Sequence, residues 1–161
     1  MRGRFFDPGG CGLQIEERPP ARGAGHVIGL ENARAGRALE EARRALEILK
    51  RAYSDEEHSD FVRAWIPLGK ALTQTGEIAE GERVLRRALV VGEKKLPPKH
   101  RWIASTQGAL GENLALQERY GEAHELLQTS YDNMKSSLGE KNPSTLAAAE
   151  RLQKFQQARA E

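Results

Sequence analysis

Histidines and adjacent acidic residues are the side chains of this 161-residue sequence that could carry metal or acid–base chemistry. His58 and His100 lie at matching points of two similar stretches, and the neighbouring carboxylates Glu57 and Asp60 accompany His58 alone. A metal site needs three or four ligands that converge on one point. The equivalent placement of the two histidines therefore predicts a repeated structural turn, and His124 is expected to face solvent on a helix.

Closely spaced carboxylates recur along the chain, and they lie among arginines and lysines. A catalytic carboxylate needs burial or a close charge to shift its pKa, and a solvated helix surface supplies neither. No serine, threonine or cysteine has a recognisable nucleophile context. We therefore predict a protein that is not an enzyme and that binds no cofactor or metal. Such pairs include Glu40 and Glu41, Glu56 and Glu57, and Glu80 and Glu82.

The composition excludes several classes of partner. The chain is 39% hydrophobic and 30% charged, and its net charge is +2 with both signs interspersed. Such a mixture gives no electrostatic footprint for nucleic acid. The single cysteine, Cys11, has no partner for an internal disulfide, and no run of eighteen apolar residues is present to cross a membrane. These features predict a cytoplasmic protein with no nucleic-acid or membrane partner.

The sequence divides into two regions of different composition. Residues 1–30 are rich in glycine, proline and arginine, and their apolar residues are too few and irregular to define a buried face. Such composition cannot offset the entropy of ordering the chain. It therefore predicts a flexible N-terminal segment, in which His26 falls. Residues 31–161 are predicted to form the folded domain.

Helix-favouring stretches rich in Ala, Leu, Glu, Arg and Lys fill the folded domain and are separated by recognisable breaks. Pro97–Pro98 ends one helix because proline removes a backbone donor, and Asn142–Pro143 is typical of an N-cap followed by a first-turn proline. Ser54, with Glu57 three residues later, predicts a capping box. Six helices are predicted, at 33–53, 56–75, 77–95, 99–117, 119–138 and 143–159.

Shifting the sequence by 42 residues aligns two segments of the folded domain without any insertion. Leu68 falls on Leu110, and Gly69 falls on Gly111, where the absence of a side chain would let a second helix approach closely. Each repeated unit is one pair of helices, and a single pair cannot bury its apolar faces alone, so neighbouring pairs must stack. The other matched pairs include Leu72 and Leu114, Glu80 and Glu122, Leu85 and Leu127, and Leu96 and Leu138.

These repeated positions resemble the tetratricopeptide repeat, which combines Leu-Gly, a large residue three positions later and small residues on the second helix. The first unit carries them as Leu68, Gly69, Leu72, Gly81, Leu85 and Ala88. The 42-residue length resembles the kinesin-light-chain-type variant, and Leu96–Trp102 is similar to the C-terminal repeats of some bacterial serine/threonine kinases. The resemblance implies an all-α, right-handed α-solenoid of antiparallel helix pairs, with about two full repeats and flanking half-repeats.

The family resemblance also implies a function, namely a non-enzymatic scaffold for protein–protein interaction that binds a peptide or helical partner in a concave groove. The alternative is a regulatory tail or fragment of a bacterial serine/threonine kinase-type signalling protein without its catalytic domain, since the kinase motifs are missing from this sequence. The first helices of the repeats would line the groove. The candidate groove residues are Arg63, Ile66, Lys70, Thr73, Gln74, Ser105, Gly108 and Glu112.

Two half-units flank the repeats and suggest a further mode of association. Helix 33–53 aligns with second helices and lacks a first helix of its own. Its apolar stripe, including Leu39, Leu46 and Leu49, is therefore expected to be exposed, and a homodimer through this face of helix 33–53 is predicted. Helix 143–159 aligns with first helices and is expected to act as a cap. Its polar face would come from Gln153, Lys154, Gln156 and Gln157.

Overall fold

The computed structural model describes residues 24–159, with side chains from residue 33 onward, and this part of the chain folds into six helices joined by short turns. The predicted helices are confirmed, and their ends agree within three residues except at one position. The helices are α1 (Ala24–Ala52), α2 (Ser59–Gln74), α3 (Ile78–Lys95), α4 (Arg101–Leu116), α5 (Tyr120–Leu138) and α6 (Pro143–Ala158).

The exception is the start of α1, which begins at Ala24 instead of residue 33. No proline follows Pro20 in this region, and the glycines Gly25 and Gly29 each disfavour a helix by only about 1 kcal/mol. Residues 24–30 of the predicted flexible segment therefore belong to α1. Residues 1–23, including Cys11, lie outside the described part of the chain, and the prediction of flexibility there stays a prediction.

The two equivalent histidines cap equivalent helices. The Nδ1 atom of His58 accepts a hydrogen bond from the backbone N–H of Asp60, and the Nδ1 atom of His100 accepts one from Trp102, at 3.2 Å in both cases. Each histidine thereby satisfies one of the free N–H groups at a helix start. The prediction of a repeated structural turn is confirmed.

The predicted capping box at Ser54 is wrong, because α2 starts five residues later and its N-cap is His58. Ser54 lies in the turn between α1 and α2, and the Glu57 carboxylate bonds to the Lys94 Nζ at 2.5 Å. The ring of Tyr53 stacks on His58 with centroids 4.0 Å apart, which favours the histidine as the cap. At α6, by contrast, the predicted N-cap Asn142 is confirmed.

The helices form an α-solenoid of antiparallel pairs. We call α2, α4 and α6 the first helices and α1, α3 and α5 the second helices, since α2 pairs with α3 and α4 pairs with α5. Each first helix also packs on the second helix that precedes it and on the next first helix. Apolar side chains between successive helices form the core. The largest fully buried apolar residues are Phe61, Val62, Leu72, Leu85, Leu110, Leu114 and Leu127.

The predicted exposure of the leucine stripe on α1 is wrong. Leu39 and Leu46 are each 8% exposed and pack, together with Leu49, into the core that α1 shares with α2 and α3. A second helix has two apolar faces, and the leucines of α1 belong to the face that meets the following repeat. Ile48, which is 66% exposed, lies on the other face.

A leucine-on-glycine contact closes each helix pair, as the repeat predicts. A β-carbon added to Gly111 would lie 2.8 Å from the Cγ of Leu127, and one added to Gly69 would collide with Leu85 in the same way. Both leucines are buried. Because neither leucine has free space into which to move, the close approach of the paired helices requires glycine at both positions.

We expect Gly111→Ala to destabilise the protein, with Gly36→Ala as its matched control. Gly36 also lies inside a helix, but its added methyl group would meet no atom within 4 Å. Both variants gain the helix propensity of alanine, so their difference isolates the collision with Leu127. Urea unfolding should show Gly111→Ala to be less stable than Gly36→Ala by about 1–3 kcal/mol. Equal stabilities would contradict the close-approach argument.

Leu110 lies in the core between the stacked helix pairs, and its side chain is only 1% exposed. Its truncation therefore tests whether that core stabilises the protein. Leu110→Ala should lower the free energy of unfolding by about 2–5 kcal/mol. Leu116→Ala removes the same atoms from a residue that is 59% exposed, and should cost less than about 0.5 kcal/mol. A loss at Leu110 as small as that at Leu116 would count against the stacked core.

Candidate functional site

The first helices line one side of the solenoid, where they enclose a cleft of about 630 Å³. Its floor and walls come from all three first helices and from the first half of α5. A volume of this size is within the range of ordinary ligand pockets. The cleft is lined by Lys70, Thr73, Gln74, Ala109, Glu112, Ala115, Leu116, Tyr120, Leu127, Arg151, Lys154, Phe155, Ala158 and Arg159.

One part of the cleft is cationic. Arg151 Nε lies 3.4 Å from Glu112 Oε1, and Lys154 Nζ lies 2.8 Å from Glu150 Oε1. Lys70 is half-buried, and within residues 33–159 it forms no ion pair of its own. Burial, and then the positive charge of Arg151, lower the pKa of the Lys70 ammonium below its usual value, while Glu112 partly opposes them. The Lys70 ammonium has therefore lost water without gaining an ion-pair partner within residues 33–159.

The other part of the cleft is apolar and aromatic. The rings of Tyr120 and Phe155 lie with centroids 6.3 Å apart, inclined at 51°. The guanidinium of Arg159 lies 5.2 Å from the centroid of the Tyr120 ring, in cation–π geometry. Tyr120 and Leu116 are 39% and 59% exposed. The cleft therefore offers apolar surface beside positive charge.

The structure brings together half of the candidate groove residues. Lys70, Thr73, Gln74 and Glu112 all line the cleft. The remaining four, Arg63, Ile66, Ser105 and Gly108, do not.

Burial explains why two of these four residues lie outside the cleft. Ile66 is 8% exposed and belongs to the core between α1, α2 and α3. Gly108 is buried against α5, where an added β-carbon would lie 2.9 Å from the Ser130 Oγ. The prediction that Ile66 and Gly108 line the groove is therefore wrong, because both are buried between helices. Arg63 is exposed and Ser105 is half-buried, and both lie outside the cleft.

Sequence reasoning missed the contribution of α6, which supplies Arg151, Lys154 and Phe155. The repeat itself contained the signal for one of them, because the shift that carries Lys70 to Glu112 carries Glu112 in turn to Lys154. Because helix 143–159 was predicted to align with first helices, its equivalent positions could have been named as candidates, but the prediction did not include them. Phe155 replaces a polar residue of the previous repeat, Asn113, and the repeat alone did not indicate its role.

A buried polar network fixes the wall of the cleft. The Asn113 side-chain amide donates to the Thr73 hydroxyl at 2.8 Å and to the Ile78 carbonyl at 2.9 Å. Gln117 in turn donates to Asn113 Oδ1 and to Glu82 Oε2, both at 2.8 Å. Since Asn113 is fully buried, loss of any partner would leave a polar group unsatisfied. The network therefore holds α2, α3 and α4 at a defined spacing.

Glu82 is the charged end of this network. It accepts hydrogen bonds from Arg86 at 2.7 Å and from Arg119 at 2.8 Å in addition to the bond from Gln117. Burial alone would raise the pKa of this carboxyl group. The hydrogen bonds from Gln117, Arg86 and Arg119 outweigh that effect and hold the pKa of Glu82 below its ordinary value of 4.5.

The lowered pKa of Glu82 predicts a pH-dependent contribution to stability. Because the folded protein binds the proton less tightly than the unfolded chain, ionised Glu82 stabilises the fold above about pH 4.5. This stabilisation is lost as the pH falls through the folded-state pKa. Glu82→Gln should therefore be less stable than the wild type at pH 7, and the difference should shrink below pH 4.5 in urea unfolding curves.

Glu125→Gln is the control for this experiment, since Glu125 is exposed and forms no ion pair within residues 33–159. It should leave the free energy of unfolding nearly unchanged at both ends of the pH range. A wild-type minus Glu82→Gln difference that stays constant from pH 7 to pH 3 would show that Glu82 acts through its shape and not its charge.

The remaining candidate catalytic groups are engaged in structural contacts or exposed to solvent. Glu57 pairs with Lys94, and Glu56 pairs with Arg87 at 2.6 Å. Glu40 and Glu41 are exposed on α1. Among the residues that the structure describes, no three His, Cys, Asp or Glu side chains form a cluster that could hold a metal ion. In the same part of the chain, no helix combines the length and the apolar character that a membrane crossing requires.

Comparison with known proteins finds one matching family model and a solved structure of similar fold. The family model of the tetratricopeptide repeat matches residues 60–136, from α2 almost to the end of α5. A solved structure of a Podosopora anserina protein, described as a putative kinesin light chain with nearly identical TPR-like repeats, is similar with a TM-score of 0.67. At 20% sequence identity the similarity covers 84% of this chain and 64% of that protein, and it concerns the fold. No curated protein matches the sequence.

Proposed function

Since the chain belongs to the tetratricopeptide repeat family, whose repeats generally mediate protein–protein interaction, we propose that its cleft binds a peptide segment of a partner protein. The segment would carry a carboxylate beside an apolar side chain. Such a ligand matches the cationic and aromatic parts of the cleft, which lie next to each other between α2, α4 and α6.

Lys70 carries this proposal. Its side chain is half-buried, and the carboxylate whose charge acts on it, that of Glu112, is already paired with Arg151. A charge that has lost water without gaining a close partner is stabilised by an incoming opposite charge. A ligand carboxylate between Lys70 and Arg151 would supply that charge.

The aromatic part supports an apolar neighbour for the carboxylate. Leu116, Tyr120 and Phe155 present accessible apolar surface on the cleft wall. Covering about 100 Å² of such surface would contribute on the order of 2.5 kcal/mol before the entropic cost of binding. Apolar contact therefore adds affinity, and the charged contact sets the orientation of the peptide.

We further propose that the cleft binds its ligand without catalysing a reaction, in keeping with the generally non-catalytic role of this repeat fold. The Thr73 hydroxyl donates to the Gly69 carbonyl at 2.8 Å and accepts the hydrogen bond from Asn113. Both hydrogen bonds use the oxygen that a nucleophile would need, and no general base within residues 33–159 contacts it. A regulatory segment of a kinase-type signalling protein, the alternative proposal, would use the cleft in the same non-catalytic manner.

Peptide selection tests this proposal. A random peptide library displayed on phage should yield ligands enriched in Asp or Glu beside Leu, Phe, Tyr or Trp. For a selected peptide, Lys70→Glu should raise the dissociation constant by roughly thirtyfold or more, equivalent to about 2 kcal/mol, because it places two carboxylates together. Fluorescence anisotropy of a labelled peptide gives the dissociation constants.

Arg83→Glu provides the matched control, because it makes the same change of charge on an exposed residue of α3 outside the cleft. It should bind the peptide within about a factor of two of the wild type, which excludes a general effect of net charge. Selection of peptides without acidic residues, or equal binding by the Lys70→Glu and wild-type proteins, would reject the proposed ligand.

A further inference from the structure

Lys70 differs in its surroundings from the other lysines between residues 33 and 159. Most of those lysines pair with a carboxylate. Lys99 and Lys141 form no ion pair in this part of the chain, but both are exposed to water in turns. Lys70 alone combines partial burial, a place in the cleft and the lack of an ion-pair partner within residues 33–159. Its amine is therefore held by neither full hydration nor a carboxylate.

This environment favours the neutral, nucleophilic form of the Lys70 side chain. Burial and the positive charge of Arg151 lower the pKa of the Lys70 ammonium. A larger fraction of Lys70 than of an ordinary lysine is therefore unprotonated near pH 7. Only the unprotonated amine has the electron pair that forms a new bond, and burial next to another cation is a known way to activate a lysine. The cleft, of about 630 Å³, has room for a small electrophile beside it.

Arg151 is placed to hold an anionic group next to Lys70. Its guanidinium packs against Gly108, where an added β-carbon would lie 3.4 Å from the Arg151 Nη1. Within residues 33–159, Glu112 is its one ion-pair partner, with the Glu112 Oε1 lying 3.4 Å from Nε. A guanidinium has five N–H donors, and a carboxylate paired side by side with it engages two of them. Donors of Arg151 therefore remain for a phosphoryl group.

The charges around Arg151 also favour an anion. Lys70, Arg151 and Lys154 line the cationic part of the cleft together with Glu112. Glu112 pairs with Arg151, and Glu150 pairs with Lys154. Three cations thus stand against two carboxylates. A concave site with an excess of positive charge concentrates small anions from solution.

We propose that Lys70 is a site of acylation by acyl phosphates, the mixed anhydrides of a carboxylic acid and phosphoric acid. Arg151 holds the phosphoryl group while the Lys70 Nζ attacks the acyl carbon. The bond between that carbon and the phosphate oxygen breaks, and its electron pair leaves with the phosphate. The phosphate takes up the proton that the amine loses. The products are N-acyl-lysine and inorganic phosphate, so no further reactant is needed.

The neighbouring cation favours an acyl phosphate over other electrophiles. Negative charge develops on the departing phosphate, and a guanidinium already in place stabilises that charge as the bond breaks. An aldehyde that condenses with the amine, or an uncharged acyl ester, has no phosphoryl group for Arg151 to hold. The phosphoryl group therefore supplies the selectivity for Lys70. The reaction consumes the amine once for each chain, so it is a modification and not catalysis.

Acylation would also change the proposed peptide site. It converts the Lys70 ammonium into a neutral amide and so removes the charge that would meet the peptide carboxylate. This consequence rests on the proposed function. The modification does not, because it is measured on the protein alone.

Acetyl phosphate tests the modification on the full chain. Quantitative mass spectrometry of proteolytic peptides gives the acetylation rate of each lysine, and Lys99 and Lys141 serve as exposed references within the same molecule. Lys70 should react about tenfold faster than either reference. With succinimidyl acetate, an uncharged acetylating reagent, this preference should fall by about fivefold or more, because Arg151 has no phosphoryl group to hold.

Inorganic phosphate isolates the role of Arg151 without any substitution. It should compete with acetyl phosphate and slow acetylation at Lys70, whereas sodium chloride at the same ionic strength should slow it much less. Neither salt should greatly change the rate at Lys99. Succinimidyl acetate should remain insensitive to phosphate at every lysine.

Arg151→Gln tests the same contact by substitution. With acetyl phosphate, it should lower the ratio of the Lys70 rate to the Lys99 rate by about tenfold or more. The fall should be smaller with succinimidyl acetate. Arg83→Gln, on an exposed residue outside the cleft, should keep the wild-type ratio with both reagents. Circular dichroism spectra confirm that both variants are folded.

Two results would overturn the proposal. One is equal acetylation of Lys70, Lys99 and Lys141 by acetyl phosphate. The other is a preference for Lys70 that is the same with both reagents and unaffected by phosphate, since Arg151 would then not hold the phosphoryl group. Selective acetylation of Lys70 that leaves the affinity for a selected peptide unchanged would support the modification and reject the carboxylate contact of the proposed function.

Discussion

Within each complete repeat, a leucine of the second helix lies directly on a glycine of the first helix. Leu127 meets Gly111 and Leu85 meets Gly69, with no space for a β-carbon at either glycine. This contact sets the distance between the paired helices, and the stacking of successive pairs follows from that distance. The position of each first helix relative to the next, and hence the width of the cleft, depends on these contacts.

Polar interactions then fix the orientation of one repeat relative to the next, which the leucine–glycine contacts within each repeat do not determine. Asn113 links α4 to both helices of the preceding repeat, through Thr73 of α2 and the Ile78 carbonyl of α3. A buried amide tolerates few alternative arrangements, because each unsatisfied hydrogen bond is costly. The network therefore orients one wall of the cleft, while Lys70, one turn before Gln74 on the same helix, lines the cleft and has no ion-pair partner within residues 33–159.

Helix α6 completes the cleft that α2 and α4 begin. It supplies Arg151 and Phe155 to the cleft, and its side chains Leu146 and Gln153 are exposed.

The sequence by itself determined the repeat, the six helices and the cap at Asn142, because helix propensity, proline positions and residue spacing act locally. Tertiary structure decided which residues are accessible. Helix rotation buried Ile66 and Leu46 in the core, since burial depends on neighbours that are distant in sequence. Packing of α6 beside α4 likewise brought its side chains to Lys70, and the loss of water around that ammonium exists only in the folded chain.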